Sequence, residues 1–135
     1  AELDGRTTID DVGLGKMASN KKSYIGSAMR TRGVLSSEDR EILVGFFPVN
    51  KKETFDSGTI ICEKNNISGF GIGRVTSVTH SPELGHWIGL GFIKGGMEKW
   101  KDTTVIGSDP IRNKQMEIQV VSPHMIDPEG KRMYA

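Results

Sequence analysis

Residues 69–96, GFGIGRVTSVTHSPELGHWIGLGFIKGG, set glycines at 69, 71, 73, 85, 89, 91, 95 and 96 among β-branched and aromatic residues. Glycine inside a strand forfeits side-chain packing and costs backbone entropy. Its repetition therefore marks bends, bulges or close backbone approach, as at the corners of a small barrel. Ser81-Pro82 supplies a turn between the two β-prone halves. The stretch predicts a hairpin at the centre of a small closed sheet.

Strand patterns recur on both sides of it. Residues 40–49, REILVGFFPV, are apolar on both faces, as a central strand requires, and Pro48 marks its end because proline cannot donate to the ladder. Residues 59–63, after the turn Asp56-Ser57-Gly58, give a second strand; 71–79 and 86–93 give the third and fourth. In the fourth, Ile88, Leu90 and Phe92 share one face and Gly89 and Gly91 the other. After a helical turn at 97–101, which sets Trp100 over an end of the core, residues 103–107 form a fifth strand. Residues 114–121 form a sixth, in which Met116, Ile118 and Val120 alternate with Glu117 and Gln119. Six short strands and no long helical pattern predict a mainly β fold, a small antiparallel six-stranded Greek-key-like barrel.

An irregular arm precedes the strands. Thr8 suits an N-cap before Asp10 and Asp11. Residues 25–32, IGSAMRTR, predict a short helix with Ile25 and Met29 on one side and Gly33 at its end. The arm is too poor in apolar residues to fold alone, so it docks on the barrel or on something else. The expected division is an arm at 1–35 and a C-terminal β-barrel domain at 36–135.

Charge and hydropathy exclude several partners. A formal charge of +1 offers no concentrated basic face for nucleic acid. No apolar run approaches the roughly 20 residues that span a bilayer, and AELDGR lacks the apolar stretch of a secretion signal. The expectations are no nucleic acid, no membrane and a cytoplasmic location. A start without methionine suits a processed product or the tail of a longer protein. Cys62, the single cysteine, sits in the apolar run TIIC and reads as a small buried hydrophobe.

Candidate chemistry is sparse. GFGIG at 69–73 is not GxGxxG and leads into β-formers instead of a helix, which argues against a dinucleotide loop. His80, His86 and His124 have no metal-ligand spacing and read as surface or barrel-rim residues. Ser77, His80 and Glu83 are the residue types of nucleophilic catalysis, without a nucleophile elbow. Lys21, Lys22 and Arg74 suit an anionic group; Trp87 and Trp100 suit packing, or stacking on a heterocycle at an open barrel end. No catalytic or metal-binding set is assigned.

Three ordered segments carry a resemblance: GLGKMASNKKSYIG at 13–26, GIGRVTSVTHSPELGHWIGLGFIKGG at 71–96 and VVSPHMIDPEGKRMYA at 120–135. Together they resemble the C-terminal region of the aminomethyltransferase family, which includes the glycine-cleavage T-protein, and within it the alpha subunits of heterotetrameric sarcosine oxidase. The resemblance implies a part of a larger oxidoreductase that oxidises sarcosine with flavin, holds NAD in a separate dinucleotide-binding part, and captures the one-carbon unit on tetrahydrofolate. It implies a barrel that helps to close the tetrahydrofolate site and is inactive alone. Its partners would be the remainder of the alpha subunit, the other subunits and folate. Lys21 and Lys22 match the basic run after Gly-Leu-Gly, which implies contacts to the folate glutamyl tail. Lys16 stands where many relatives carry tryptophan, and Val78 where the T-protein has glycine. Two alternatives are the barrel of another folate-dependent aminomethyltransferase or demethylase, and a free-standing small-molecule or protein-binding β module.

Overall fold

The β-prone runs become six antiparallel strands in the computed structural model, which describes residues 2–67 and 70–134. They are β1 (Glu41–Pro48), β2 (Ile60–Cys62), β3 (Gly73–Ser81), β4 (His86–Lys94), β5 (Thr104–Asp109) and β6 (Lys114–Val121). The strands close into a barrel in the order β1-β4-β3-β2-β5-β6, with β6 returning to β1. Consecutive strands β2, β3 and β4 with β1 beside β4 form the Greek key. The expected mainly β barrel is the observed one. β6 has the bounds that its alternation predicts, whereas β3 starts two residues later than expected and continues to Ser81. There Gly85, at φ +69°, donates its N–H to the Ser81 carbonyl at 2.9 Å and turns the chain into β4. Gly69, where the glycine-rich stretch begins, lies outside the described residues.

Register assigns the faces. Val44 pairs with Gly91, Phe46 with Gly89 and Val120, and Val105 with Ile118. Val44, Phe46, Val105, Ile118 and Val120 belong to the core cluster, so Gly89 and Gly91 face inward and Ile88, Leu90 and Phe92 face outward. A Cβ on Gly89 would sit 2.5 Å from Phe55 Cε2, and one on Gly91 would sit 2.9 Å from both Phe46 Cε2 and Val75 Cα. The glycines leave room for two aromatic rings. A bulge between Val75 and Ser77 shifts the register of β3 against β4.

The two barrel ends are plugged from connections. Phe55, between β1 and β2, is 3% exposed and enters one end. At the other lies α1 (Gly96–Trp100), whose Met97 and Trp100 pack on the core while Trp100 Nε1 donates to the Lys94 carbonyl at 2.8 Å. Trp100 thus covers an end of the core, as expected. Cys62 is buried, which pushes its thiol pKa up. In the arm the expected helix is reduced to a single 3-10 turn at Ser27–Met29. Gly26, at φ +88°, prevents a longer one, and Ile25 is fully exposed instead of sharing a packed side with Met29.

Gly91→Ala forces a Cβ against the β3 backbone. It is expected to destabilise the protein by about 1–3 kcal/mol in denaturant unfolding. Gly33→Ala, with nothing within 4 Å of the added carbon, is expected to stay within about 0.5 kcal/mol. Equal effects at the two positions would contradict the inward placement of Gly91.

Candidate functional site

β1 meets β6 at the barrel seam over only part of its length. Its pairing with β6 runs from Gly45 to Pro48, which leaves the upstream part of that edge open. Leu43 N–H donates there to the Asp11 carbonyl at 2.7 Å, so the arm takes the place of a strand. Asp11 is held for this by a reciprocal turn: Thr8 N–H donates to Asp11 Oδ2 at 2.7 Å, and Asp11 N–H donates to Thr8 Oγ1 at 3.3 Å. The Asp11 carboxylate is buried and receives the Arg40 guanidinium, Nε donating to Oδ1 at 3.0 Å and Nη2 to Oδ2. Arg40 Nη2 also donates to the Arg6 carbonyl at 2.7 Å.

A second anchor lies at the bulge of β3. The Glu2 carboxylate accepts hydrogen bonds from Thr76 Oγ1 at 2.7 Å and from Ser77 Oγ. Between the two anchors runs a groove of about 430 Å³ whose lining includes Asp4, Arg6, Arg40, Glu41, Arg74 and Phe92. Phe92, outward-facing but only 2% exposed, carries the Arg74 guanidinium 5.5 Å from its ring centroid. Arg74 also pairs with Glu41, and Arg6 with Asp4 at 2.7 Å. The arginines of this groove are engaged by carboxylates of the protein itself. The arrangement is a polar clasp between arm and barrel.

Electrostatics follow from these contacts. Hydrogen bonds from Ser77 and then Thr76 hold the Glu2 carboxyl at about 2. Burial pushes Asp11 upward, but Arg40 together with the Thr8 N–H and hydroxyl outweighs it and the net shift is downward. Arg6 holds Asp4 at about 2.

The residues singled out in the sequence are scattered. Lys21 and Lys22 lie in an exposed turn, each backbone N–H donating to Ser19 Oγ at 3.1 Å. The adjacent cavity of about 280 Å³ is lined by Ser19, Asn20, Tyr24 and Arg30 among others and not by the two lysines. Ser77 serves Glu2, His80 lies edge-on to Trp87 at 5.8 Å, and Glu83 accepts from Arg132 at 2.7 Å, so the three do not meet. His86, the first residue of β4, is buried instead of lying on the surface, because Phe47 packs edge-on against it at 4.7 Å; its Nδ1 is 2.8 Å from the Trp87 carbonyl oxygen. Among the described residues no group of three His, Cys, Asp or Glu side chains is placed to hold a metal ion, and no helix is long and apolar enough to cross a membrane. The clasp was only half visible in the sequence: the Thr8 cap points to Asp11, while no local pattern links Glu2 to Ser77.

Residues 42–127 match the glycine cleavage T-protein C-terminal barrel domain. The chain belongs to that family. Among curated proteins it is similar to sarcosine oxidase subunit alpha of Rhizobium meliloti (strain 1021), 29% identical over 98% of the chain and 14% of that protein. The same subunit of Corynebacterium sp. (strain U-96) is 28% identical over 97% of the chain and 14% of its own length. The chain thus spans 14% of the length of these relatives. Glycine cleavage system aminomethyltransferase T from Bartonella henselae has the same fold, with a TM-score of 0.71 at 20% identity over 90% of this chain and 32% of that one. The arm lies ahead of the family barrel match, yet the sarcosine oxidase relatives align through it.

Because Glu2 and Asp11 lie below the ordinary carboxyl range of about 4, their contribution to docking the arm is complete above that range. It is lost as pH falls through the folded values, near 2 for Glu2. Carboxyl-carbon NMR titration is expected to place the Glu2 midpoint near 2, and Ser77→Ala to move it upward. A midpoint in the ordinary range that ignores the substitution would remove the clasp.

Proposed function

We propose that this chain serves as the C-terminal barrel domain of a sarcosine oxidase alpha-type subunit. In this role it helps to close a tetrahydrofolate site where the one-carbon unit from sarcosine oxidation is captured. One observation carries the reading: a chain of the T-protein C-terminal barrel family aligns over 98% of its length with a segment that makes up 14% of a sarcosine oxidase alpha subunit. In this reading residues 1–35 belong to the folate-binding region and 36–135 to the barrel domain. The remainder of the subunit, the other subunits and folate are its partners. Flavin and NAD bind elsewhere in the assembly, and the location is cytoplasmic.

The chain's own share is binding and positioning. Ser77, His80 and Glu83 do not come together, since each has another partner. The polar clasp holds the arm on the barrel, and the arm carries Lys21 and Lys22 in the exposed turn capped by Ser19. Among the described residues neither lysine has a carboxylate within salt-bridge distance, unlike Arg6, Arg30, Arg40 and Arg74. Their ammonium groups suit the carboxylates of a folate glutamyl tail. Bound tetrahydrofolate supplies the nitrogens that accept the one-carbon unit.

Two measurements check the proposal. The purified 135 residues are expected to give no sarcosine-dependent peroxide; turnover by the chain alone would contradict it. In the complete subunit, Lys21→Ala with Lys22→Ala is expected to weaken binding of a polyglutamyl tetrahydrofolate by roughly 2- to 30-fold, since exposed ion pairs contribute about 0.2–1 kcal/mol each. The monoglutamyl form should be little affected. Equal affinity for both forms in the variant and the native protein would remove the lysines from the site. Tight, saturable folate binding by the isolated chain would point to a free-standing module.

A further inference from the structure

The arm is docked with its polar groups inward. Among its described residues only Asp11 is fully buried, while Met17, Ile25, Met29 and Val34 are exposed, Ile25 completely. A strap that only covered the barrel would turn these side chains onto it. Here the barrel receives Glu2 and Asp11 instead. The apolar side of the arm borders a groove of about 480 Å³ whose lining includes Thr8, Ile9, Tyr24, Ile25, Met29 and Leu35. The arginines in that lining are already matched: Arg6 by Asp4 and Arg30 by Asp10, both at 2.7 Å, with Arg30 Nη1 also donating to Tyr24 Oη at 3.1 Å. The groove therefore offers apolar area with its guanidinium charges compensated. That suits an apolar protein surface better than an anionic small molecule.

We propose that this outward face of the arm, centred on Ile25 and Met29, is the docking surface for the folded remainder of a longer polypeptide that contains the chain. The inference rests on the functional reading above and specifies where that contact is made. The relatives indicate the occupant. Their alignments run through the arm as well as the barrel, and in them the aligned segment is 14% of a single chain. A covalently attached neighbour is therefore at high effective concentration beside this face. The surface turns outward what such a neighbour would bury, and leaves the barrel contact to charges.

Methionine oxidation reads the surface directly, because Met29 lines its groove, Met17 is exposed on the same arm, Met133 is exposed on the C-terminal tail and Met116 is buried in the core. In the isolated 135-residue chain, Met17 and Met29 are expected to oxidise within a few-fold of Met133 and far faster than Met116. In the protein purified from its native source, they are expected to slow at least fivefold, on a polypeptide that peptide mapping shows to extend beyond these residues. Equal rates in the two samples overturn the inference. So does protection that already appears in the isolated chain and grows with its concentration, which identifies a second copy. Ile25→Asp is expected to leave the melting temperature of the isolated chain unchanged but to restore fast Met29 oxidation in the longer protein; persistent protection there also overturns it. Protection without tetrahydrofolate binding would remove the folate reading and leave the docking surface standing. Tetrahydrofolate binding with exposed methionines would do the reverse.

Discussion

Two aromatic rings occupy the space that two glycines leave on the inner face of β4. Phe46 comes from β1 and Phe55 from the connection that follows it, and Cβ atoms on Gly91 and Gly89 would collide with them. A six-stranded barrel has an interior only wide enough for packed side chains, so a large residue on one wall requires a small one opposite. The magnitudes favour this arrangement. Each strand glycine costs about 0.5–1 kcal/mol of backbone entropy, while each buried phenylalanine contributes about 1.5–3 kcal/mol. β1 pairs with β4 on one side and with β6 on the other. Its distance from β4 therefore governs whether the barrel closes at all.

The same choice shapes the outside. With its glycines inward, β4 sends Ile88, Leu90 and Phe92 outward, and Phe92 is nonetheless 2% exposed. Arg74 covers its ring, and the arm lines the groove above it. The arm reaches this position through polar contacts at the seam, where β6 has stopped pairing with β1 and the Asp11 carbonyl accepts from Leu43. A buried carboxylate such as Asp11 is tolerated only with a partner, and Arg40 supplies it. The outward face of β1 next to this seam is covered by the segment after β6: Met125 and the Ser122 carbonyl crowd Gly45 so closely that a side chain there would displace them. Barrel, arm and C-terminal segment are fitted around one strand.

The strands were legible as β-prone runs bounded by turn signals, most clearly β6, where Met116, Ile118 and Val120 alternate with polar residues. Period does not give direction. In β4, hydrophobicity alone would turn Ile88, Leu90 and Phe92 inward; Phe46 and Phe55 decide the opposite, and they are distant in sequence. The arm helix was overestimated because residue spacing does not register the positive φ of Gly26. Of the clasp, the Thr8 to Asp11 turn is local and visible. The contact between Glu2 and Ser77 spans 75 residues and depends on a bulge that no composition reveals. Lys21 and Lys22 stood out as charges, and the structure leaves them exposed in a turn away from the clasp.

Family membership and fold converge on a C-terminal barrel carrying an arm that turns Glu2 and Asp11 onto it and leaves Ile25 and Met29 exposed. All of this depends on the fit between glycine and ring inside the barrel. A double-mutant cycle on Gly89→Ala and Phe55→Leu tests that fit most directly, since shortening the ring should make room for the added methyl group. The account predicts that the double variant is more stable than the sum of the single losses by at least about 1 kcal/mol. Additivity within about 0.5 kcal/mol would contradict it.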